Sequence, residues 1–196
     1  MYKLASNNKS AIIILHEIYG INSFIKDTCS EYYNQGFDVY CPDMLQGNIF
    51  SYSESDSTYA FFINKAGFEY FKEIELLLQK LKLQYDKVFI LGFSAGATIA
   101  WRCSGNTKCD GIICCYGSRI RDYLSLQPVC PVLLLFAEQD SFDVDKVINQ
   151  LQVKANVELY KFQACHGYMD KYSNNYNENQ AQFSKEYIKC FLERNL

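Results

Sequence analysis

Six short apolar runs punctuate the chain, at Ile12 to Leu15, Phe37 to Cys41, Val88 to Leu91, Ile112 to Tyr116, Val132 to Phe136 and Val157 to Phe162. Most are continuously apolar rather than alternating, the pattern of strands covered on both faces. The segments between them carry apolar residues at helical spacing instead. Phe71, Ile74, Leu78 and Leu81 share one face, and Val144, Val147, Ile148 and Leu151 share another. The last helix repeats the pattern through Phe183, Tyr187, Cys190 and Phe191. Strands alternating with helices predict an α/β fold: a mostly parallel sheet of about six strands with right-handed crossovers and helices on both faces. In such a sheet ligands bind beyond the carboxyl ends of the strands.

With 196 residues and neither an internal repeat nor a linker, the chain reads as one domain over residues 1–196. Its 19 basic and 22 acidic residues leave a net charge of −3, without a basic cluster, which argues against nucleic acid and against a charged membrane surface as partners. The longest apolar stretches, Ala11 to Leu15 and Val132 to Ala137, fall far short of the roughly 18 residues a spanning helix needs. The N-terminus lacks the apolar core of a secretory signal. Nine cysteines, an odd number and several inside apolar runs, read as reduced core residues of a cytoplasmic protein. C-x-x-C spacing is missing and His16 and His166 are the only histidines, so no metal is expected. Neither of the glycine-rich phosphate signatures is present, so no cofactor is expected either. The Ser-rich segment Gln46 to Thr58, followed by Tyr59, Phe61 and Phe62, reads equally well as a surface loop leading into a helix and as a cap over a pocket.

The chemistry centres on G-F-S-A-G at 92 to 96, where a buried strand stops and a small-residue helix starts. A sharp strand-to-helix turn of this kind presents a serine hydroxyl, here Ser94, at a helix N-terminus. A serine needs a base, and the base needs an orienting acid. His166 follows the last strand and suits the base. The acid is expected between serine and histidine in chain order, after a late strand, where A-E-Q-D-S-F opens at 137. Asp140 is the choice, with Glu138 and Asp143 as rivals and Asp143 better suited to cap the following helix. Oxyanion donors are expected from the backbone N–H groups of Ala95, after the nucleophile, and Ile18, in the loop after an early strand. His16 is the second candidate base, read as a packed or substrate-lining residue. Glu17, a carboxylate at the end of an apolar strand, is read either as solvent-facing or as a group of raised pKa beside the nucleophile. Arg119 and Arg121, after the Ile112 to Tyr116 strand, are candidates for binding an anionic group, against the reading of surface charges at a helix start.

These residues resemble the dienelactone hydrolases of the α/β-hydrolase superfamily. The likeness runs through H-E-I-Y-G-I-N at 16, D-V-Y-C-P-D at 38, L-G-F-S-A-G-A at 91, E-Q-D-S-F at 138 and H-G-Y at 166. It implies the α/β-hydrolase fold, a Ser94, His166, Asp140 triad, donors at Ile18 and Ala95, and Glu17 close to the nucleophile. The family's best-known members carry cysteine where this chain has Ser94. They usually begin with an antiparallel hairpin, which the few residues before Ala11 imply is trimmed here. They also hold a substrate carboxylate with arginines, whereas the residue four after His166 is Asp170, which would repel an anion.

The sequence thus predicts a serine hydrolase that cleaves a small ester or lactone through an acyl-enzyme, with kcat/KM rising through a group near the ordinary histidine pKa of about 6.5. An acyltransferase or thioesterase with the same residues, or a non-catalytic α/β binding protein, are the alternatives. The small chain suggests short acyl groups, and its oligomeric state is open.

Overall fold

The computed structural model describes residues 1–196 and contains one seven-stranded sheet in the order β1-β3-β2-β4-β5-β6-β7. The strands are β1 (Tyr2–Leu4), β2 (Ser10–Leu15), β3 (Phe37–Cys41), β4 (Lys87–Phe93), β5 (Gly111–Cys115), β6 (Val132–Gln139) and β7 (Val157–Cys165). The last six are the apolar runs of the sequence, and they pair in parallel. The antiparallel N-terminal element is present in shortened form, as the three residues of β1 on the outer edge of β3. Local sequence does not announce this strand, because its anchor is distant. The buried Asp38 carboxylate of β3 accepts hydrogen bonds from the backbone N–H of Ser6 at 2.9 Å and from Asn8, which tie the loop after β1 to the sheet.

Six helices complete the fold: α1 (Ser23–Asn34), α2 (Ser55–Lys65), α3 (Phe71–Leu81), α4 (Ala95–Arg102), α5 (Val144–Leu151) and α6 (Glu178–Asn195). Local capping sets several of their starts. Asn22, Asp143 and Asn177 each accept a hydrogen bond from the third residue beyond them, so Asp143 does cap α5 as its position suggests.

Alternation along the strands divides the core in two. Ala11, Ile13 and Leu15 pack with α2 to α5, whereas Ile12 and Ile14 pack with α1 and α6. On α3 and α5 the apolar stripe is buried as the spacing predicts, through Ile74, Leu78 and Leu81 and through Val144, Val147 and Leu151. The stripe on α6 is different. Its buried residues are Ala181, Ser184, Ile188, Phe191 and Leu192, while Phe183, Tyr187 and Cys190 are exposed. The Tyr187 ring lies 3.9 Å from that of Tyr160 on the edge strand β7, so its apolar surface is partly covered from the side rather than from below. No helix is long and apolar enough to cross a membrane.

The chain turns back on itself at β2: β3 lies on one side of it and β4 on the other. A reversal of strand order opens a crevice at the carboxyl ends of the two diverging strands. The register Leu15 to Gly92 sets the residues after β2 beside those after β4 in that crevice.

Candidate active site

Two glycines create the turn that carries Ser94. A Cβ on Gly92 would stand 2.3 Å from the Gly96 carbonyl oxygen, and a Cβ on Gly96 would stand 2.3 Å from the Leu15 carbonyl oxygen. Neither contact is tolerable, so only glycine lets α4 start directly against β2 and β4. Ser94 itself takes φ +52°, ψ −111°, a conformation that costs an L-residue of order 1–3 kcal/mol and persists where surrounding structure enforces it. Its N–H donates to the Cys115 carbonyl at 2.9 Å, fixing the turn to the end of β5.

His166 follows β7 and Asp140 follows β6. A register irregularity between Ala137 and Gln139 brings Gln139 opposite Cys165, and the next residue of each strand meets the other. His166 Nδ1 lies 2.7 Å from Asp140 Oδ2, and its Nε2 lies 2.8 Å from Ser94 Oγ. The other carboxylate oxygen accepts from the N–H of Ser141 at 2.6 Å and from its hydroxyl at 3.1 Å. Asn175 holds the histidine's backbone carbonyl at 2.8 Å. Glu138, one residue nearer the strand, is exposed. Burial works to lower the His166 pKa, but the hydrogen bond and charge of Asp140, with Glu17 further off, outweigh it and leave the pKa above the ordinary value. The titration expected near 6.5 therefore moves upward.

The other histidine is structural. His16 is fully buried, accepts the Met44 N–H at Nε2 (3.1 Å) and lies 2.6 Å from the Glu17 carbonyl through Nδ1. Nε2 as acceptor leaves Nδ1 as the protonated nitrogen, so the ring is neutral. Burial lowers its pKa to about 4. With its carbonyl turned to His16, the trans Glu17–Ile18 peptide must point the Ile18 N–H the opposite way. That N–H makes no hydrogen bond within the chain. Ala95 is the first residue of α4, where a backbone N–H has no intrahelical acceptor. Ile18 and Ala95 both border the same cavity as Ser94.

Glu17 is buried rather than solvent-facing, at 5% exposure, and its Oε1 has no hydrogen-bond partner. Burial raises its pKa to about 7. His166 opposes this rise, Asp170 adds to it, and the nearby Tyr116 hydroxyl opposes it without reaching hydrogen-bonding geometry. Tyr116, at the end of β5, packs its ring edge-on to His166 with centroids 5.1 Å apart.

Two cavities flank Ser94. One, of about 300 Å³, is bordered by Glu17, Tyr19, Tyr52, His166 and Asp170. The other, of about 220 Å³, is bordered by Ile18, Tyr59, Ala95, Arg119 and Arg121. Both arginines sit on a 3₁₀ turn, Ser118–Tyr123. Arg119 pairs with Asp122 at 3.3 Å, and the Arg121 guanidinium lies 5.0 Å from the Phe142 ring centre. They are thus at a pocket as well as at a helix start. The segment after Gln46 forms a 3₁₀ turn and then α2, and contributes Tyr52 to the first cavity and Tyr59 to the second. Tyr59 belongs to the aromatic patch, and Tyr52 to the Ser-rich segment, that the sequence offers as a cap over a pocket, but the cavity each one lines is set by a chain reversal far from the strand-end motifs. Tyr116 has one local signal, its position at the end of the Ile112 to Tyr116 apolar run.

Comparison with known proteins agrees with this architecture. The family model of the dienelactone hydrolase family matches residues 2–196. The chain is 38% identical over 175 residues to YczH of Bacillus subtilis, covering 86% of this chain and 85% of that protein. It is 22% identical over 194 residues to carboxymethylenebutenolidase 1 of Cupriavidus pinatubonensis, covering 90% and 82%. The fold is similar to that of a dienelactone hydrolase-like promiscuous phosphotriesterase from metagenomic libraries, with a TM-score of 0.73 at 16% identity over 97% of this chain and 88% of that one. The chain belongs to the dienelactone hydrolase family and has the α/β-hydrolase fold.

Proposed function

We propose that the protein is a serine hydrolase that opens a small carboxylic ester or lactone through an acyl-enzyme. The observation that carries this reading is the continuous path from Ser94 Oγ to His166 Nε2 at 2.8 Å and from His166 Nδ1 to Asp140 Oδ2 at 2.7 Å. In this scheme Ser94 attacks the acyl carbon and His166 takes its proton. Asp140 holds Nδ1–H and steadies the imidazolium that forms. The N–H groups of Ile18 and Ala95 stabilise the tetrahedral oxyanion. His166 then protonates the leaving alcohol, and water repeats the sequence on the acyl-enzyme. Glu17, buried beside the nucleophile, orients rather than activates it, because a serine relies on the histidine for its proton transfer. Arg119 and Arg121 are assigned to an anionic group of the substrate in the second cavity. Nine free cysteines, seven of them buried, support a cytoplasmic location.

A fluorophosphonate probe and an ester screen of graded acyl length test the proposal. The expected results are a single covalent adduct on Ser94, short-chain preference, and loss of turnover by up to about a millionfold in Ser94→Ala. Folded protein that takes no adduct, or Ser94→Ala with undiminished turnover, leaves a binding protein instead. Acyl transfer to added alcohols or thiols in preference to water would make it a transferase.

A further inference from the structure

The cavity on the Glu17 side of Ser94 contains two buried carboxyl groups and no basic side chain other than His166. Glu17 borders it, and its buried Oε1 has no hydrogen-bond partner. Asp170 is 1% exposed; its Oδ1 accepts the Tyr172 N–H at 2.8 Å and its Oδ2 accepts the Tyr52 hydroxyl. The adjacent basic residue is directed elsewhere, with Lys171 Nζ on Asp27 at 2.7 Å. Tyr19 and Tyr52 line the same cavity as an edge-to-face pair with centroids 4.7 Å apart. Burying carboxylates without a counter-cation is costly, and a structural role would ordinarily bring one. Burial raises the pKa of both Glu17 and Asp170, as expected for acids held without such a partner.

Carboxylates beside aromatic rings are the surroundings an ammonium group seeks, through charge pairing and cation–π contact. Because His166 borders this cavity and protonates the departing oxygen in the scheme above, the group housed here belongs to the alcohol part of the substrate. We propose that this cavity binds an ammonium group on the alcohol portion of the ester, with Glu17 and Asp170 as counter-charges and Tyr19 and Tyr52 as its aromatic walls. This inference rests on the serine-hydrolase reading for its catalytic consequence, while the binding site itself does not need turnover.

The test compares acetylcholine with 3,3-dimethylbutyl acetate, a neutral ester of the same shape, by proton release at constant pH. The expected kcat/KM ratio is at least about tenfold in favour of the cation, equivalent to about 1.4 kcal/mol. Asp170→Asn, whose amide oxygen can still accept the Tyr172 N–H, and Glu17→Gln should each bring the ratio towards one. A wild-type ratio of one or less, or a ratio indifferent to both substitutions, overturns the proposal. Tetramethylammonium binding, followed by NMR titration of the wild-type protein against tert-butanol, provides a readout free of catalysis. Saturable binding of the cation alone supports the site even if Ser94 takes no fluorophosphonate and the hydrolase reading fails. Ser94 labelling without cation binding overturns the site and leaves the hydrolase intact.

Discussion

Replacing Glu17 with glutamine should stabilise the protein, and by an amount that depends on pH. In the folded chain the Glu17 carboxyl is raised by burial from 4.5 to about 7. Between those values the unfolded chain releases the proton while the folded chain retains it, so the folded state loses stability as pH rises through this window. Glutamine resembles the neutral acid in shape and cannot ionise. The stability gap between Glu17→Gln and wild type should be close to nil at pH 4, about 2 kcal/mol at pH 6 and about 3 kcal/mol at pH 8, from linkage with the raised value. For a chain of this size the last figure corresponds to a Tm increase of about 6–12 °C. Paired calorimetric melts at the three pH values measure it directly. A gap that stays constant with pH, or a wild type more stable than the variant at pH 8, would refute the claim that Glu17 is held buried and unpaired. Under the proposed serine-hydrolase scheme, in which Glu17 orients the nucleophile, the same variant should lose catalytic efficiency as it gains stability.

Other consequences follow from the same geometry. Ser94→Gly should relieve the positive φ, and the strain released should exceed the entropy cost of glycine by about 1 kcal/mol, so Tm rises while turnover disappears; a fall in Tm would contradict the strain assignment. Gly96→Ala should cost about 3 kcal/mol, because its Cβ would meet the Leu15 backbone at 2.3 Å; denaturant melts with near-wild-type midpoints would show that α4 can move away freely. The pH profile of kcat/KM should rise through a group above 6.5 in the wild type. In Asp140→Asn it should shift downward, with kcat reduced about ten-thousandfold, and an unmoved profile would remove Asp140 from the role of orienting acid.

Much of this molecule is legible in its amino-acid sequence. Six parallel strands and the serine-bearing turn lie in contiguous residues, where apolar runs, glycine spacing and helix periodicity carry their own physical reasons. The strand-end positions of Ser94, Asp140 and His166 follow from that local pattern. Their distances do not. Asp140 faces the histidine because an irregularity between β6 and β7 brings Gln139 opposite Cys165, so that residue 140 rather than residue 141 comes opposite His166, which depends on pairing rather than on composition. The buried face of α6 departs from the spacing for a related reason: of Phe183, Tyr187, Cys190 and Phe191 only Phe191 is buried, and Ala181, Ile188 and Leu192 turn inward with it, because packing on the sheet near edge strand β7 sets which face is covered.

The amino-acid order alone determined the class of fold, the strained turn and the candidate groups, because each depends on interactions between near neighbours. Tertiary structure alone decided the character of the pocket. Tyr52 and Asp170 are 118 residues apart and meet only because the segment after β3 folds back over the carboxyl ends of the sheet. The fold also takes Glu17 out of water, and that burial, invisible in a string of residues, raises its pKa and leaves its Oε1 without a partner.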